Sequence, residues 1–433
     1  MKTKYRYRGG NRGRRAGVRA ERLHGAGNRH RVPFGDLRIG PLARRRVIEA
    51  LDSNWISEGR FVREFEEKFA AKFGWKHAIA TSSGTDAGMV VWSAVRELNG
   101  YNYACHRGVR SEVITPACAF VATGNCLLAA GIMPAFLDIE LGTLNLDPGL
   151  ILEEIREDKF ERGEDIIGIQ FVATMGKPTP VKEIAKITEE CGLWLVYDGC
   201  EAHGAALYFD ESPAGAPANT FTKTIYADHL CDAAIYSFYA AHLIVSGEGG
   251  MICTDDNELA ELCRSIKSHG RPPGSNHFNF QRVGFNSKWN EPCAAIALES
   301  LERFDETFEK RRMVRRRLLE ALSPFEDKLI LYRDEPWEII SPHAFPIVLR
   351  DEAGDIGPLY DRLERAGVQC KTLFGSLPTQ HGAFSFLGHK LGDFPVAERV
   401  GRTGLHFGCN EFMTDGDIIY VAGKIGDFFK RGE

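Results

Sequence analysis

A carboxylate at the end of a buried strand is the first candidate for chemistry in this sequence. The apolar run Leu193-Trp-Leu-Val-Tyr-Asp198 is followed by Gly-Cys-Glu-Ala-His-Gly, so Asp198 stands where a strand gives way to a turn. Open α/β sheets bind ligands at the carboxyl ends of their strands. A carboxylate there can pair with a cationic ring nitrogen and keep that ring electron-withdrawing. By itself, a strand-ending Asp is more often a structural or helix-capping residue.

The second candidate is the segment Thr81-Ser-Ser-Gly-Thr-Asp-Ala-Gly88, which joins a strand-like run at 77–80 to a helical pattern that begins near Met89. Small residues let the backbone approach a phosphate, and the N–H groups of a helix start supply positive potential there. An ordinary N-cap of Ser and Thr would look the same. Phe120, similarly, is a core residue unless a flat ligand lies beside it.

The third candidate is His242, in Ser237-Phe-Tyr-Ala-Ala-His-Leu-Ile-Val-Ser-Gly-Glu-Gly-Gly250. An imidazole with its ordinary pKa of ~6.5 can accept and return a proton near neutral pH. The alternative is a structural histidine in a protein without catalytic activity.

The scaffold that would position these candidates is predicted from apolar periodicity. Helical spacing marks 42–51 and 61–73, with Phe65, Phe69 and Phe73 on one face of the second segment. A helical stretch over 298–322 precedes further strand-like runs. We predict a large α/β domain over 32–294 and a smaller C-terminal domain over 295–433. Runs typical of strands buried on both faces of a mainly parallel sheet lie at 112–115, 134–138, 166–172, 193–198, 233–238 and 250–254.

The composition predicts a soluble, cytoplasmic protein without a metal site. Of 433 residues, 44% are hydrophobic and 26% are charged, which is typical of a globular chain. The sequence has neither an apolar run long enough to span a bilayer nor an apolar stretch at its N-terminus. Its eleven cysteines are scattered singly, which argues against zinc or iron–sulfur sites and for reduced thiols.

The charge is concentrated in a basic tail at 1–31, which has eleven Lys or Arg residues and one acid, whereas the remainder has 43 basic and 58 acidic residues. So few apolar residues predict a disordered extension, although such a tail could contact nucleic acid or an anionic surface. We predict neither a nucleic-acid nor a membrane partner. The segments 99–111 and 210–223 are predicted to be surface insertions.

Taken in order, these motifs and the segment Val283-Gly-Phe-Asn286 resemble the sugar aminotransferases of the DegT/StrS group, within fold type I of the enzymes that use pyridoxal 5′-phosphate (PLP). The likeness runs from about Val32 to near the C-terminus. It implies a seven-stranded, mainly parallel sheet between helices in the large domain, and a smaller α+β domain. It also implies a homodimer with shared active sites.

The resemblance assigns roles to eight residues. Gly84, Thr85 and Ser237 would hold the cofactor phosphate. Phe120 would stack on the cofactor ring, Asp198 would pair with the ring nitrogen, and Glu201 would face the hydroxyl side of the ring. Trp55 would lie near the sugar, and Asn286 would reach the cofactor phosphate of the neighbouring subunit.

One departure changes the expected reaction. His242 falls where the group has the lysine that bonds covalently to PLP, and an imidazole cannot form that bond. The change resembles a small branch, the nucleotide-4-keto-6-deoxyhexose 3-dehydratases. We therefore predict a non-covalent cofactor, used as pyridoxamine 5′-phosphate (PMP), and His242 as the catalytic base.

Within that branch one type needs an iron–sulfur cluster, but the corresponding stretch 268–276 has no cysteine. The cluster-free type is favoured, which takes its amine from glutamate. We predict loss of the C3 hydroxyl from a nucleotide-linked 4-keto-6-deoxy sugar. The alternatives are a keto-sugar aminotransferase and a non-catalytic PLP-binding regulator. The sequence does not specify the nucleotide, the hexose or the pathway.

Overall fold

The computed structural model describes residues 30–35, 37–100, 111–161, 165–209, 223–274, 277–351 and 354–431. The predicted tail up to residue 29 lies outside these ranges. So do 101–110 and 210–222, which are most of the two predicted insertions. Those predictions therefore stay untested.

The described residues form helices α1 to α13 and strands β1 to β14. In chain order they are α1 (Pro41–Asp52), α2 (Arg60–Phe73), β1 (His77–Thr81), α3 (Gly84–Leu98), β2 (Ser111–Pro116), α4 (Ala122–Ala129), β3 (Met133–Leu137), α5 (Pro148–Glu161), β4 (Asp165–Val172), α6 (Val181–Cys191), β5 (Trp194–Asp198), β6 (Ala206–Phe209), β7 (Lys223–Tyr226), β8 (Ala233–Ser237), β9 (Gly250–Thr254), α7 (Asn257–Ile266), α8 (Glu291–Glu302), α9 (Phe304–Leu322), β10 (Leu329–Leu331), β11 (Glu338–Ile339), β12 (Ala344–Leu349), α10 (Gly357–Arg365), β13 (Cys370–Thr372), α11 (Leu377–Gln380), α12 (Pro395–Thr403), β14 (Gly404–Gly408) and α13 (Asp415–Arg431).

A seven-stranded sheet forms the centre of the large part, in the order β1-β9-β8-β5-β4-β2-β3. The strands from β8 to β3 pair in parallel, whereas β9 is antiparallel to both of its neighbours. The predicted seven-stranded, mainly parallel sheet is confirmed. Because helices cover both faces, its strands are the continuous apolar runs seen in the sequence.

Two helix predictions are wrong in their bounds. Helix α3 begins at Gly84 instead of near Met89, because the Ser83 hydroxyl accepts a hydrogen bond from the Asp86 N–H and caps it there. The stretch predicted over 298–322 is two helices, α8 and α9, which meet at Arg303.

The C-terminal part has a four-stranded antiparallel sheet in the order β10-β12-β14-β13, packed against α9, α10 and α13. The start of the described chain also belongs to this core: Val32 is buried in it and exchanges backbone hydrogen bonds with Gly367 and Gln369. Val32 thus pairs with Val368, next to the segment that leads into the edge strand β13 of the C-terminal sheet. The division at residue 294 stays a prediction.

Candidate active site

A cavity of about 880 Å³ opens where the carboxyl ends of β4, β5 and β8 face strands β13 and β14. Its volume and its mainly apolar wall with a few converging polar groups are typical of small-molecule sites. The structure brings seven of the predicted site residues to this wall: Gly84, Thr85, Phe120, Asp198, Glu201, Ser237 and His242.

The first turn of α3 forms a polar corner of the cavity. Its backbone N–H groups have no partner within the helix, and such groups attract anions. Ser237, at the end of β8, lies directly against this turn, because a Cβ added to Gly84 would stand 2.8 Å from the Ser237 Cβ. The N–H groups of Gly84 and Thr85, which the Ser83 cap does not use, are therefore available to one phosphate group together with the Thr85 side chain and the Ser237 hydroxyl.

The Gly-Glu-Gly-Gly segment holds this corner in place. A Cβ on Gly250 would lie 2.2 Å from the carbonyl oxygen of Ser83, so β9 can pair beside β1 at this point only without a side chain. Trp289 is buried and donates its indole N–H to the Glu248 carbonyl at 2.8 Å. The first contact places β9 against the turn that leads into α3, and the second fixes the loop that precedes β9.

The Asp198 carboxylate is buried at the end of β5 and is contacted by neutral donors. The Cys200 N–H donates to one oxygen at 3.2 Å, and the Thr123 hydroxyl and Gln170 amide donate to the other at 3.4 Å each. Burial raises the pKa of Asp198, and these hydrogen bonds oppose the shift. Trp92 donates to the Gln170 carbonyl at 2.6 Å, which fixes the direction of the amide. A cationic ligand atom would stabilise the carboxylate.

Phe120 presents its ring to the cavity. The side chain is 61% exposed although it lies in a loop between buried elements, and its ring contacts Phe374 edge-on at 6.1 Å between centroids. Phe120 is therefore not a core residue, and its position favours the interpretation that it contacts a flat ligand.

His242 lies in the loop between β8 and β9, and Arg311 fixes the backbone of that loop. The Arg311 guanidinium donates to the carbonyls of His242 at 3.1 Å and Ala241 at 3.4 Å, and its Nε–H donates to Glu411 at 2.9 Å. Burial, followed by Arg311 and Lys371, lowers the pKa of His242 to about 3. The pKa of a free imidazole therefore does not describe this buried ring, and the assignment of His242 as the catalytic base stays a prediction.

A second imidazole, that of His343, connects His242 to Glu201. Their Nδ1 atoms lie 3.4 Å apart, and the His343 Nε2 lies 3.6 Å from a Glu201 oxygen. The other Glu201 oxygen accepts the Met175 N–H at 2.8 Å. Burial raises the pKa of Glu201 to about 7, whereas burial lowers the pKa of His343.

Lys371, on β13, provides a cation to the cavity. Among the described lining residues it is the one lysine or arginine, and its ammonium lies 4.3 Å from the centroid of the Phe34 ring. Burial lowers the pKa of Lys371, and the negative charge of Glu201 opposes that shift. The Phe34 ring also contacts His343 and His406 edge-on, so the N-terminal segment forms part of the wall.

Trp55 and Asn286 do not line the cavity of this chain. Trp55 is 61% exposed and donates its indole N–H to the Glu58 carbonyl at 3.1 Å. The Asn286 side-chain oxygen accepts a hydrogen bond from Lys288 at 2.7 Å. Their predicted roles stay predictions.

Sequence reasoning missed several residues of the wall. Gln170 carried a usable signal, because it is a polar residue inside the apolar run of β4. No local sequence signal marked the other missed residues, because each lies in an apolar or short segment of the C-terminal part or near the N-terminus. These residues are Phe34, His343, Lys371 and His406.

The described residues contain neither a membrane-spanning helix nor a metal-binding cluster. No helix among them is both long and apolar enough to cross a bilayer. Nowhere in the same part of the chain do three or more His, Cys, Asp or Glu side chains lie grouped so that they could hold a metal.

The chain is similar in sequence to a known family and to characterised relatives. The sequence profile of the DegT/DnrJ/EryC1/StrS aminotransferase family matches residues 38–426. The chain is 30% identical over 421 residues to a dTDP-4-dehydro-2,6-dideoxy-D-glucose 3-dehydratase of Saccharopolyspora spinosa, covering 89% of this chain and 84% of that protein. It is 32% identical over 404 residues to a GDP-perosamine synthase of Caulobacter vibrioides, covering 90% and 96%.

The fold matches as well. An Escherichia coli GDP-4-keto-6-deoxy-D-mannose-3-dehydratase, solved with bound hydrated PLP, superposes with a TM-score of 0.75 at 23% identity, over 91% of this chain and 99% of that one. The chain belongs to the DegT/DnrJ/EryC1/StrS aminotransferase family of PLP-dependent, sugar-modifying enzymes, and it has their fold.

Proposed function

We propose that this enzyme removes the C3 hydroxyl of a nucleotide-linked 4-keto-6-deoxy sugar, with PMP as its cofactor. The observation that carries the proposal is that His242 projects into the cavity from the loop after β8, where the family's covalent lysine would stand. A 3-dehydratase among the relatives, 30% identical, supports the same reaction class.

The residues of the cavity fit a pyridoxamine phosphate. The α3 turn with Thr85 and Ser237 would hold the phosphate, Phe120 would lie on the ring, and Asp198 would pair with the ring nitrogen. When bound, the cofactor supplies an amine for the keto carbon and a ring that takes up an electron pair. Because position 242 has no amine, the cofactor would be held non-covalently.

His242 would move the proton on which the reaction depends. Its imidazole would take a proton from the carbon next to the cofactor ring and would return a proton to the departing hydroxyl, which would leave as water. The Asp198 carboxylate would stabilise positive charge on the ring during this transfer. Arg311 keeps the His242 backbone in place.

The amine would be restored by glutamate, and Lys371 would bind a carboxylate of that donor, since it is the cavity's lysine. We expect Lys371→Met to raise the KM for glutamate at least about tenfold, as loss of a charged contact does, and to leave the KM for the sugar unchanged. Steady-state kinetics with each substrate varied in turn would measure both. Equal effects on both KM values would contradict this assignment.

We further propose a cytoplasmic homodimer in which Asn286 reaches the partner's cofactor phosphate and Trp55 lies near the sugar. Both side chains stand outside this chain's own cavity, which is compatible with contacts across an interface. We also propose that no iron–sulfur cluster takes part. Iron analysis of active enzyme tests this point.

The central experiment is to incubate the protein with PMP, glutamate and a series of nucleotide 4-keto-6-deoxy sugars. Mass spectrometry should detect a product that has lost the C3 oxygen. A product that has gained an amine at C4 would instead identify an aminotransferase, which is the second candidate because the GDP-perosamine synthase of Caulobacter vibrioides is 32% identical. Binding of PLP without glutamate consumption would identify a regulator.

A further inference from the structure

Two more side chains of the cavity, those of His343 and Glu201, lie in a row with His242, the predicted base. His343 lies between His242 and Glu201, with Nδ1 to Nδ1 at 3.4 Å on one side and Nε2 to carboxylate oxygen at 3.6 Å on the other. Met175 holds the far oxygen of Glu201 through its N–H. His242 therefore has one ring nitrogen in the line, and His343 has both.

We infer that Glu201, His343 and His242 form a proton relay that moves a proton between the cavity and the Glu201 carboxyl group. This inference rests on the proposed role of His242 as the base. In it, Glu201 is the group that stores the proton, and His343 is the positioning residue that passes it on.

The line has two consistent arrangements of hydrogen atoms. In the first, Glu201 is ionised, His343 donates Nε2–H to it, and His242 donates Nδ1–H to His343, so the His242 Nε2 is a free acceptor. In the second, protonated Glu201 donates to His343 Nε2, His343 donates Nδ1–H to His242, and His242 bears Nε2–H. The first arrangement can take up a proton and the second can release one.

The transfer between them balances without further reagents. A proton from a carbon in the cavity binds the His242 Nε2, the Nδ1 proton of His242 passes to His343, and the Nε2 proton of His343 passes to Glu201. The electron pair of the broken C–H bond stays with the substrate–cofactor system. Both imidazoles begin and end neutral.

The surroundings favour this route over a charged imidazolium. His242 faces His203, His343, Arg311 and Lys371, whereas His343 faces His242, His406, Arg311, Lys371 and Glu201. An added positive charge on either ring is opposed by Arg311 and Lys371, and Glu201 is the one acidic group among the described residues around them that would favour it. Burial acts in the same direction on both pKa values. Glu201 faces Asp198 and Lys371, and its pKa of about 7 lets it hold or release the proton near neutral pH.

The first test observes the histidines directly in protein without cofactor. Nitrogen-15 NMR should show the tautomers of His242 and His343 switching together as Glu201 titrates, with neither ring doubly protonated between about pH 5 and 8. In Glu201→Gln the switch should disappear. A doubly protonated His242 ring near neutral pH would overturn the relay.

The second test measures exchange of the cofactor's C4′ hydrogen with deuterium oxide in PMP-loaded enzyme that is given a nucleotide 4-keto sugar without a C3 hydroxyl, so that the C–H bond is activated but no group can leave. The rate should rise with pH through about 7, because the first arrangement needs ionised Glu201. Glu201→Gln and His343→Phe should lower the plateau at least about tenfold, the lower side of what a proton-transfer group contributes. His77→Gln, at a histidine of β1 that does not line the cavity, is the control and should leave the exchange unchanged.

The outcomes separate this inference from the proposed function. If the tautomers switch together but no sugar is deoxygenated, the relay stands and the proposed function fails. If deoxygenation occurs and neither Glu201→Gln nor His343→Phe alters the pH profile of exchange, the relay fails alone. Should His343→Phe not fold, the wild-type and Glu201→Gln spectra decide.

Discussion

Replacing His242 by lysine is expected to abolish deoxygenation and to create a covalent cofactor site. An ε-amine at this position can bond to the PLP aldehyde, and it removes the imidazole that would transfer the proton. We expect the rate of 3-deoxy product formation to fall by about 10²- to 10⁴-fold, the contribution of a positioned acid–base group. Borohydride reduction of the PLP-treated variant should leave a pyridoxyl group on residue 242.

The labelled residue must be identified, because Lys371 also lines the cavity and could be labelled in place of residue 242. Wild-type protein treated in the same way should carry no pyridoxyl group on Lys371 or elsewhere in the site. The double variant His242→Lys with Lys371→Met is the matched control, and it should be labelled as His242→Lys is. Undiminished deoxygenation by His242→Lys, or a label on Lys371 in the wild type, would refute a non-covalent cofactor with an imidazole base.

The second large effect is expected for Asp198→Asn. The amide keeps the shape of the side chain but cannot neutralise a protonated ring nitrogen, so the ring loses its capacity to take up electrons. The turnover number should fall roughly 10²- to 10³-fold, as when one preorganised electrostatic group is removed. The cofactor should remain bound through the α3 turn and Ser237, so its dissociation constant, measured by fluorescence titration, should change little.

Asp228→Asn provides a control for the loss of a buried carboxylate. Asp228 is also buried and accepts hydrogen bonds from Tyr236 and Trp75, but it does not line the cavity. We expect this variant to lower the melting temperature without lowering the turnover number of the folded enzyme. A turnover number for Asp198→Asn equal to that of the wild type would remove Asp198 from the mechanism.

The parts of the site that could be predicted from the sequence are those with a local pattern. Asp198 follows an apolar strand, and Gly84 stands among small and hydroxyl residues before a helix, so both positions indicate ligand contact without knowledge of the fold. The start of α3 was misplaced because the hydroxyl-rich loop is itself the first turn of the helix.

The rest of the site depends on pairing between distant segments. His343 precedes an apolar strand and Lys371 stands in a three-residue strand, and neither position indicates a cavity until β12 and β13 are placed against the central sheet. The low pKa of His242 has the same origin, because burial and Arg311 on α9 cause it. No local pattern in a single sequence shows that these distant residues lie close together in the fold.

The N-terminal segment has a consequence for biosynthesis. Val32 pairs with Val368, the Phe34 N–H donates to the Gln369 side chain at 2.9 Å, and the Phe34 ring contacts His406. This wall of the cavity can therefore form only after β13 and β14, more than 330 residues further along the chain, have been made. Such long sequence separation slows folding. A nascent chain that is still missing β13 and β14 lacks this part of the coenzyme pocket, so the pocket can be completed only after both strands have been made.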